Sequence, residues 1–526
     1  MRLAATILTT VVLAGIMRAD GIPVKSKLVQ DRCGGCHTAD AQQRMSRISY
    51  QRKTPEGWEE TIRRMVQVHG LSLTPEEARA IVQYLGDEHG LTASEVDKIS
   101  YALEQRQDQE PIPNEAVRQA CTTCHSYARI AAQRRTKEEW FKIQSFKLAI
   151  IPTIVYQHRY MDWMSTSKEA LAYLADQFPL ETPEWQREKG QTPPGESSWA
   201  VVGYQPGKGA YTGQLKMSVA SDGSRQTQAA LEFTDGTTVT RTGTGHWYGG
   251  SSWRGSAQWQ GGAKGREIYH LSADGTTLRG RWLSVEQAGI AGEETLYRRN
   301  GKPRLLAAFP KAVQSGAKNV EFRLYGSDFP ANVKPADLDL GDGLKVEKIT
   351  AANPTRITAV VSAAQDAKIG RRVVKLGSAS VPDLLCVYDK VDYIRVVPDR
   401  IMARLGGLHY PKEYAQFEAH AYNRGPDGIP GNEDDLDVGA VQPTWAIEEM
   451  YNAYDDKDKQ FVGTIDQKGF FTPAVEGPDP KRFRTAENSG DVYVTAEYKP
   501  AVDANAMKAR AYMLVSIPKM RNPLIP

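Results

Sequence analysis

The sequence predicts a multidomain protein: an all-α amino-terminal third, then three all-β domains arranged as a barrel followed by immunoglobulin-like sandwiches. Three observations carry that prediction. Helical periodicities with threonine and proline start signals fill residues 20–180, around two Cys-x-x-Cys-His pentapeptides. A polar stretch rich in proline and glycine, 181–198, then interrupts the chain as a linker. Beyond it, short alternating segments parted by Asp-Gly turns replace the helical periods. A chain of 526 residues has room for roughly three to five domains.

At the amino terminus, Met1-Arg2 precedes an apolar run from Leu3 to Ile16 and then Met17-Arg18-Ala19. A charged start, a short apolar core and a small residue for cleavage read as a secretory signal over 1–19. The run is too short for a bilayer, which needs roughly 20 residues. No later segment approaches a membrane span, so the expected location is periplasmic. The net charge of +3 comes without a long basic run, which excludes nucleic acid as an implied partner.

The pentapeptides are Cys33-Gly34-Gly35-Cys36-His37 and Cys121-Thr122-Thr123-Cys124-His125. Two intervening residues make one turn, so both sulfurs reach the same edge of a porphyrin and the following imidazole swings under its iron. Cys33, Cys36, Cys121 and Cys124 are thus candidates for covalent attachment of two haem c groups, with His37 and His125 as proximal ligands. A zinc knuckle would want four closely grouped ligands. A redox dithiol would want a preceding strand and no duplication. The fifth cysteine, Cys386, is expected to be buried and structural.

After the first motif, Thr54-Pro55-Glu56-Gly57-Trp58 opens a helix with apolar face Trp58, Ile62, Met65 and Val66, and Thr74-Pro75-Glu76-Glu77 opens the next with a capping box. The order resembles a small cytochrome c fold. The pattern recurs: Thr136-Lys137-Glu138-Glu139-Trp140 matches the first helix start, and Tyr173-Leu174-Ala175-Asp176 matches Tyr84-Leu85-Gly86-Asp87. Tandem duplication follows, with Ser94–Arg106 expected to join the halves. Met65 is the candidate distal ligand of the first haem, its other reading being a core methionine, with His69 the rival one turn on. Seven residues past Trp140 stands Lys147, and His158 lies outside the repeat register; both are candidates for the second iron. His89, at a helix end, is expected to be a cap or a surface residue.

The domain expected over 199–302 has hairpin turns at Asp222-Gly223, Asp235-Gly236 and Asp274-Gly275, and Trp247, Trp253, Trp259 and Trp282 to fill a barrel. Residues 303–390 have the size of an immunoglobulin-like sandwich. Residues 391–526 open with a strand at Tyr393–Val397 and close with one around Tyr512–Ile517. The acidic loop from Asp427 to Asp437 reads either as a calcium site or as glycine turns, without the spacing of a helix-loop-helix site. Asp455-Asp456-Lys457-Asp458 reads as a solvated turn, and His246, His270, His409 and His420 as structural. No hydrolase, phosphate-loop or dinucleotide motif occurs, so redox centres are the only chemistry in view.

Taken in this order, the chain resembles the α subunit of quinohaemoprotein amine dehydrogenase over essentially its full length. Besides the pentapeptides, the resemblance rests on Gln133-Arg134-Arg135-Thr136-x-x-Glu139-Trp140, on Pro152-Thr153-Ile154-x-Tyr156-Gln157, on Gly425-Pro426-Asp427-Gly428-x-Pro430-Gly431-x-x-Asp434-Asp435, and on Phe461-Val462-Gly463 with Gly469-x-Phe471-Thr472-Pro473. It implies a heterotrimer with a β-propeller subunit and a small subunit bearing cysteine tryptophylquinone, which oxidises primary amines to aldehydes and ammonia. It further implies that this chain passes the electrons through two haems to a soluble cytochrome c or copper protein. The resemblance implies one His/Met and one bis-His iron, and Lys147 in the slot of the second distal histidine departs from that pattern. Cys386 has no tryptophan near it in sequence, so no quinone precursor and no residue catalytic on amines are expected here. The alternatives are a free-standing periplasmic dihaem carrier serving another dehydrogenase, and a dihaem peroxidase.

Overall fold

A computed structural model describes residues 20–106, 110–221, 223–450, 456–482, 487–501 and 504–518. The expected signal segment and the residues Asp222 and Asp455 lie outside them. The chain forms two compact units, one built from residues up to 91 and 110–189, the other from 92–109 and 190–524. Among the described residues no helix is long and apolar enough to cross a membrane.

The first unit starts with helix α1 (Lys27–Cys33), strand β1 (Gln51–Lys53), α2 (Pro55–His69) and α3 (Pro75–Glu88). The short helices α4 (Ala93–Val96) and α5 (Ser100–Leu103), expected to join two halves, belong to the second unit. There Ala93 N donates to Ser251 Oγ at 3.3 Å and Arg106 pairs with Glu293 at 2.5 Å. The first unit resumes with α6 (Glu115–Ala120), α7 (Tyr127–Ala131), β2 (Gln133–Arg135), α8 (Lys137–Ile150), α9 (Ile154–Gln157), α10 (Trp163–Gln177) and α11 (Pro183–Glu188). Part of the expected linker is therefore helix. Thr182 accepts from Trp185 N and Pro183 takes the first helical position, the same start signal as elsewhere, and Trp185 is buried with the Arg52 guanidinium 4.2 Å above its ring.

The unit is mostly helical, with one exception that the polar tripeptides did not predict. β1 and β2 form an antiparallel ribbon with register Gln51↔Arg135, Arg52↔Arg134 and Lys53↔Gln133. In the repeat, Gln51, Arg52 and Lys53 correspond to Gln133, Arg134 and Arg135, so the ribbon is two-fold symmetric about the Arg52–Arg134 pair. The flanking bonds obey the same symmetry. Thr54 N donates to Ala132 O and Thr136 N to Tyr50 O. Trp58 Nε1 donates to His89 O and Trp140 Nε1 to Phe178 O, each at 2.9 Å. His89 closes α3, but its ring is fully buried against Trp58 and Tyr84 rather than on the surface. Burial and the adjacent Arg52 push it down to about 4.

In the second unit, eight antiparallel strands between Ser197 and Arg298 form a closed barrel, each bonded to the next and Ala291–Arg298 bonded back onto Ser197–Gln205. Gly236 and Gly275 turn with positive φ, as the Asp-Gly hairpins require, and Asp235 and Asp274 accept from the amides two residues on. Trp247, Trp253 and Trp282 are buried, joined by Trp199, while Trp259 is half-buried against Trp282 at 4.8 Å between centroids. The barrel also encloses a charged network. Arg241 holds Glu294 at 2.7 Å and Glu267 at 3.2 Å, all three essentially inaccessible. Tyr211 and Tyr269 hydroxyls donate to Glu294, and Trp253 Nε1 to Glu267. Burial raises Glu294, but Arg241 and the two hydroxyls overcome it and hold the carboxyl below its usual range.

The strands between Arg304 and Tyr388 form two four-stranded sheets, and one core, including Leu305, Phe322, Ile357, Val374 and Leu385, draws on both. Cys386 is buried there beside Ala312 and Leu436. Among the described residues, the last domain has sheets of three, four and three strands around a core including Phe417, Trp445, Phe471 and Val494. Its opening strand is Tyr393–Val397 and its closing one Met507–Ser516.

Protein donors reach the carboxylates of Asp427, Asp435 and Asp437 in the acidic loop. Asp435 accepts from Tyr393, Arg395 and Gly431 N, and Asp427 from Ile429 N and Asn432. Asp437 pairs with Lys311 at 2.5 Å and with His420 at 3.1 Å. Asp458, expected in a solvated turn, is instead buried and paired with Arg482 at 2.8 Å. With Glu449 and Asp456 it makes a group of three closely spaced carboxylates.

Candidate haem-binding site

The first motif continues the backbone of α1. Cys33 is its last residue, and Cys36 N and His37 N both turn back to Cys33 O, at 3.2 and 2.9 Å. Cys33 is buried and Cys36 exposed, so the motif presents one thiol from the core and one from the rim. His37 Nδ1 lies 2.9 Å from Ser46 O. A carbonyl can only accept, so Nδ1 carries the proton and Nε2 is left as the ligating nitrogen. Burial lowers His37, which favours the neutral ring that binds a metal.

The second motif repeats the arrangement. Cys121 closes α6 with its amide on Val117 O, and Cys124 N turns back to Cys121 O at 3.4 Å. His125 Nδ1 lies 3.1 Å from Ser126 O, again leaving Nε2 to ligate. Burial, then Lys147, pushes His125 down to about 4, and burial pushes the Cys121 thiol up to about 11. All five cysteines are unbridged. Paired thiols on one turn, a neutral imidazole anchored by its other nitrogen, and apolar surroundings fit a covalently tethered haem. Cys33 belongs to a cluster with Met45, Ile62 and Leu85, and Cys121 borders one with Trp140 and Leu171.

Met65 is half-buried on α2, on the turn between buried Ile62 and exposed His69. His69 is near enough to His37 to weigh against its protonation. Lys147, half-buried on α8, acts electrostatically on Cys121 and on His125, and burial followed by Arg129 lowers its own ammonium. His158 is also brought to the second motif: Nε2 lies 3.0 Å from Thr123 Oγ1 and Nδ1 2.9 Å from Ile154 O. Both candidates thus stand beside the second pentapeptide, but His158 has both nitrogens engaged by protein. Sequence reasoning did not single out Arg47, Lys53, Arg64, Arg129 and Arg135 around the join of the two halves, because five basic residues scattered along the chain carry no contiguous signal.

Four family models match in succession and together span most of the chain: quinohemoprotein amine dehydrogenase A, alpha subunit, haem binding, at residues 24–185, then the alpha subunit's domain II at 194–296, domain III at 302–389 and domain IV at 394–525. The chain belongs to the quinohemoprotein amine dehydrogenase alpha subunit family. It is therefore a subunit of a multisubunit amine dehydrogenase, and its first domain is the family's haem-binding domain. No curated protein matches the chain. Among solved structures, a redesigned β-barrel is 16% identical, aligned over 20% of this chain and 90% of its own with a TM-score of 0.18. Human protocadherin-24 EC1-2 is 12% identical over 41% of this chain and 96% of its own, with a TM-score of 0.16.

Proposed function

We propose that this amine dehydrogenase α subunit is the electron-transfer subunit of a periplasmic complex. In this reading its dihaem domain takes electrons from a cysteine tryptophylquinone on a small partner subunit and delivers them to a soluble cytochrome c or copper protein. A β-propeller subunit completes the heterotrimer, and a cleavable signal over 1–19 exports the chain. The observation that carries the reading is the pair of pentapeptides, each with its histidine Nδ1 anchored on a backbone carbonyl, inside the stretch matched by the haem-binding family model.

Cys33, Cys36 and His37 would hold one haem, and Cys121, Cys124 and His125 the other. Bound haem supplies a one-electron couple at each motif. Met65 is the proposed distal ligand of the first iron. His158 and Lys147 are the two proposed candidates for the second: His158 has Nδ1 anchored on Ile154 O and Nε2 against Thr123 of the motif, and the Lys147 amine acts on Cys121, Cys124 and His125. Low-temperature magnetic spectra of Lys147→Ala and His158→Ala variants decide between them: only loss of the true ligand changes the low-spin signature of one iron.

The purified chain is expected to contain two haem c groups by alkaline pyridine spectroscopy and to show no amine oxidation alone. Amine turnover by the isolated subunit would refute this division of labour. Co-purification from the native source, followed by mass spectrometry, should recover a small quinone-bearing subunit and a propeller.

A further inference from the structure

At the join of its two halves, the first unit gathers more positive than negative charge. Lys53 on β1 is 7% exposed, donates to Thr61 Oγ1 at 2.7 Å and stands 5.2 Å over the Trp58 ring. Arg135 on β2 is equally buried, donates to Gln133 Oε1 and lies 5.7 Å from the Trp140 ring. Arg64 reaches from α2 to lie 5.0 Å over Phe146 of α8, and its buried Nε has no hydrogen-bond partner. Arg129 of α7 and Arg47 complete the set, the latter paired with Glu139 at 2.7 Å.

These side chains face one another. Beyond burial, Arg135, Arg64, Arg129 and Arg47 each push the Lys53 ammonium toward its neutral form. Glu60 and Glu139 are the carboxylates that act on the group. Among the described residues no carboxylate lies within salt-bridge distance of Lys53, Arg64, Arg129 or Arg135. Lys53 and Arg135 are buried and Arg64 and Arg129 half-buried, and buried cations in excess are costly unless an anion joins them. The position says which anion. Arg47 follows Ser46, whose carbonyl anchors His37, and Arg129 lies one turn beyond His125. A c-type haem carries two propionate carboxylates on the porphyrin edge away from its thioether links, so two haems supply four negative groups.

We propose that Arg47, Lys53, Arg64, Arg129 and Arg135 form one shared box, at the join of the duplicated halves, that holds propionate carboxylates from both haems. The proposal rests on the reading that both motifs carry haem. Carboxylates in the box return Lys53 to its charged form, and because the box is shared and positive, each of its cations favours the reduced iron in both halves.

The test is spectroelectrochemical titration of the full haem-loaded chain. Alkaline pyridine spectra come first: fewer than two haems in the wild-type chain would overturn the underlying reading rather than the box. In Lys53→Met and Arg129→Gln variants carrying two haems, both midpoint potentials are expected to fall, with the reduced-to-oxidised ratio at fixed potential dropping about tenfold, or about 59 mV for a one-electron centre. Lys53→Arg should restore them, and Arg79→Gln, on an exposed helix face, should leave them unmoved. If Lys53→Met does not fold, Arg129→Gln carries the same test. Two loaded haems with unchanged potentials, or a shift of one haem alone, would overturn the box. So would a shift on exchanging chloride for inorganic phosphate, which would mean that the box holds a free anion.

Discussion

At the scale of single residues, burial decides what each charge does. Arg241 inside the barrel pairs with two carboxylates that have no access to water; it holds Glu294 below the usual range, while burial keeps Glu267 above it. Arg241→Met would strand Glu267 and Glu294, and should destabilise the barrel by about 3–5 kcal/mol, measured by denaturant unfolding. None of the three was legible in the sequence, because each sits in an alternating strand where a charge reads as solvent-facing and its partners lie far along the chain. His420 gives a pH prediction. Burial lowers it, but the Asp437 and Glu418 carboxylates overcome this and raise it to about 9, while His420 and Lys311 take Asp437 down to about 2. A histidine raised in the folded state stabilises fully below its unfolded value, roughly 6.5, and loses that contribution as pH climbs toward 9. His420→Gln should therefore cost about 2 kcal/mol near pH 6 and little above pH 9, read from thermal unfolding across that range.

At the scale of elements, local signals were readable and pairing was not. Thr54, Thr74 and Thr136 each cap the helix that their Thr-Pro or Thr-x-x-Glu context predicts. Removing the hydroxyl in Thr54→Ala or Thr136→Ala is expected to cost about 1 kcal/mol each, with similar losses because the two caps are repeat equivalents; paired melting curves check it. The ribbon escaped the sequence because a strand of three polar residues has no periodicity, and its partner lies in the other half. The same holds for the site. Both pentapeptides and their histidines are contiguous and were legible, whereas the basic side chains around Lys53 come together only when the halves meet.

At the scale of the whole molecule, the order of a haem-binding domain and three strand-built domains places the chemistry at one end of the chain. The barrel was legible from its Asp-Gly turns and tryptophans. The helix at Pro183–Glu188 was missed because proline and glycine around it read as a linker, although its own start signal is that of α2. Trp58→Phe and Trp140→Phe each delete one indole-to-carbonyl bond between a helix and the far end of its repeat. Each should cost about 1 kcal/mol and lower the melting temperature of the first domain without changing haem content.

A ribbon with a two-fold axis through Arg52 and Arg134 is the geometry of an isologous contact between identical partners. The duplicated domain is thus a homodimer written as a single polypeptide. A fragment carrying only residues 20–91 leaves its three-residue edge open, and the mate that fits it is another copy of itself. Sedimentation of that fragment should give a dimer at micromolar concentration, and Arg52→Pro, which removes the central donor of the ribbon, should return it to monomer.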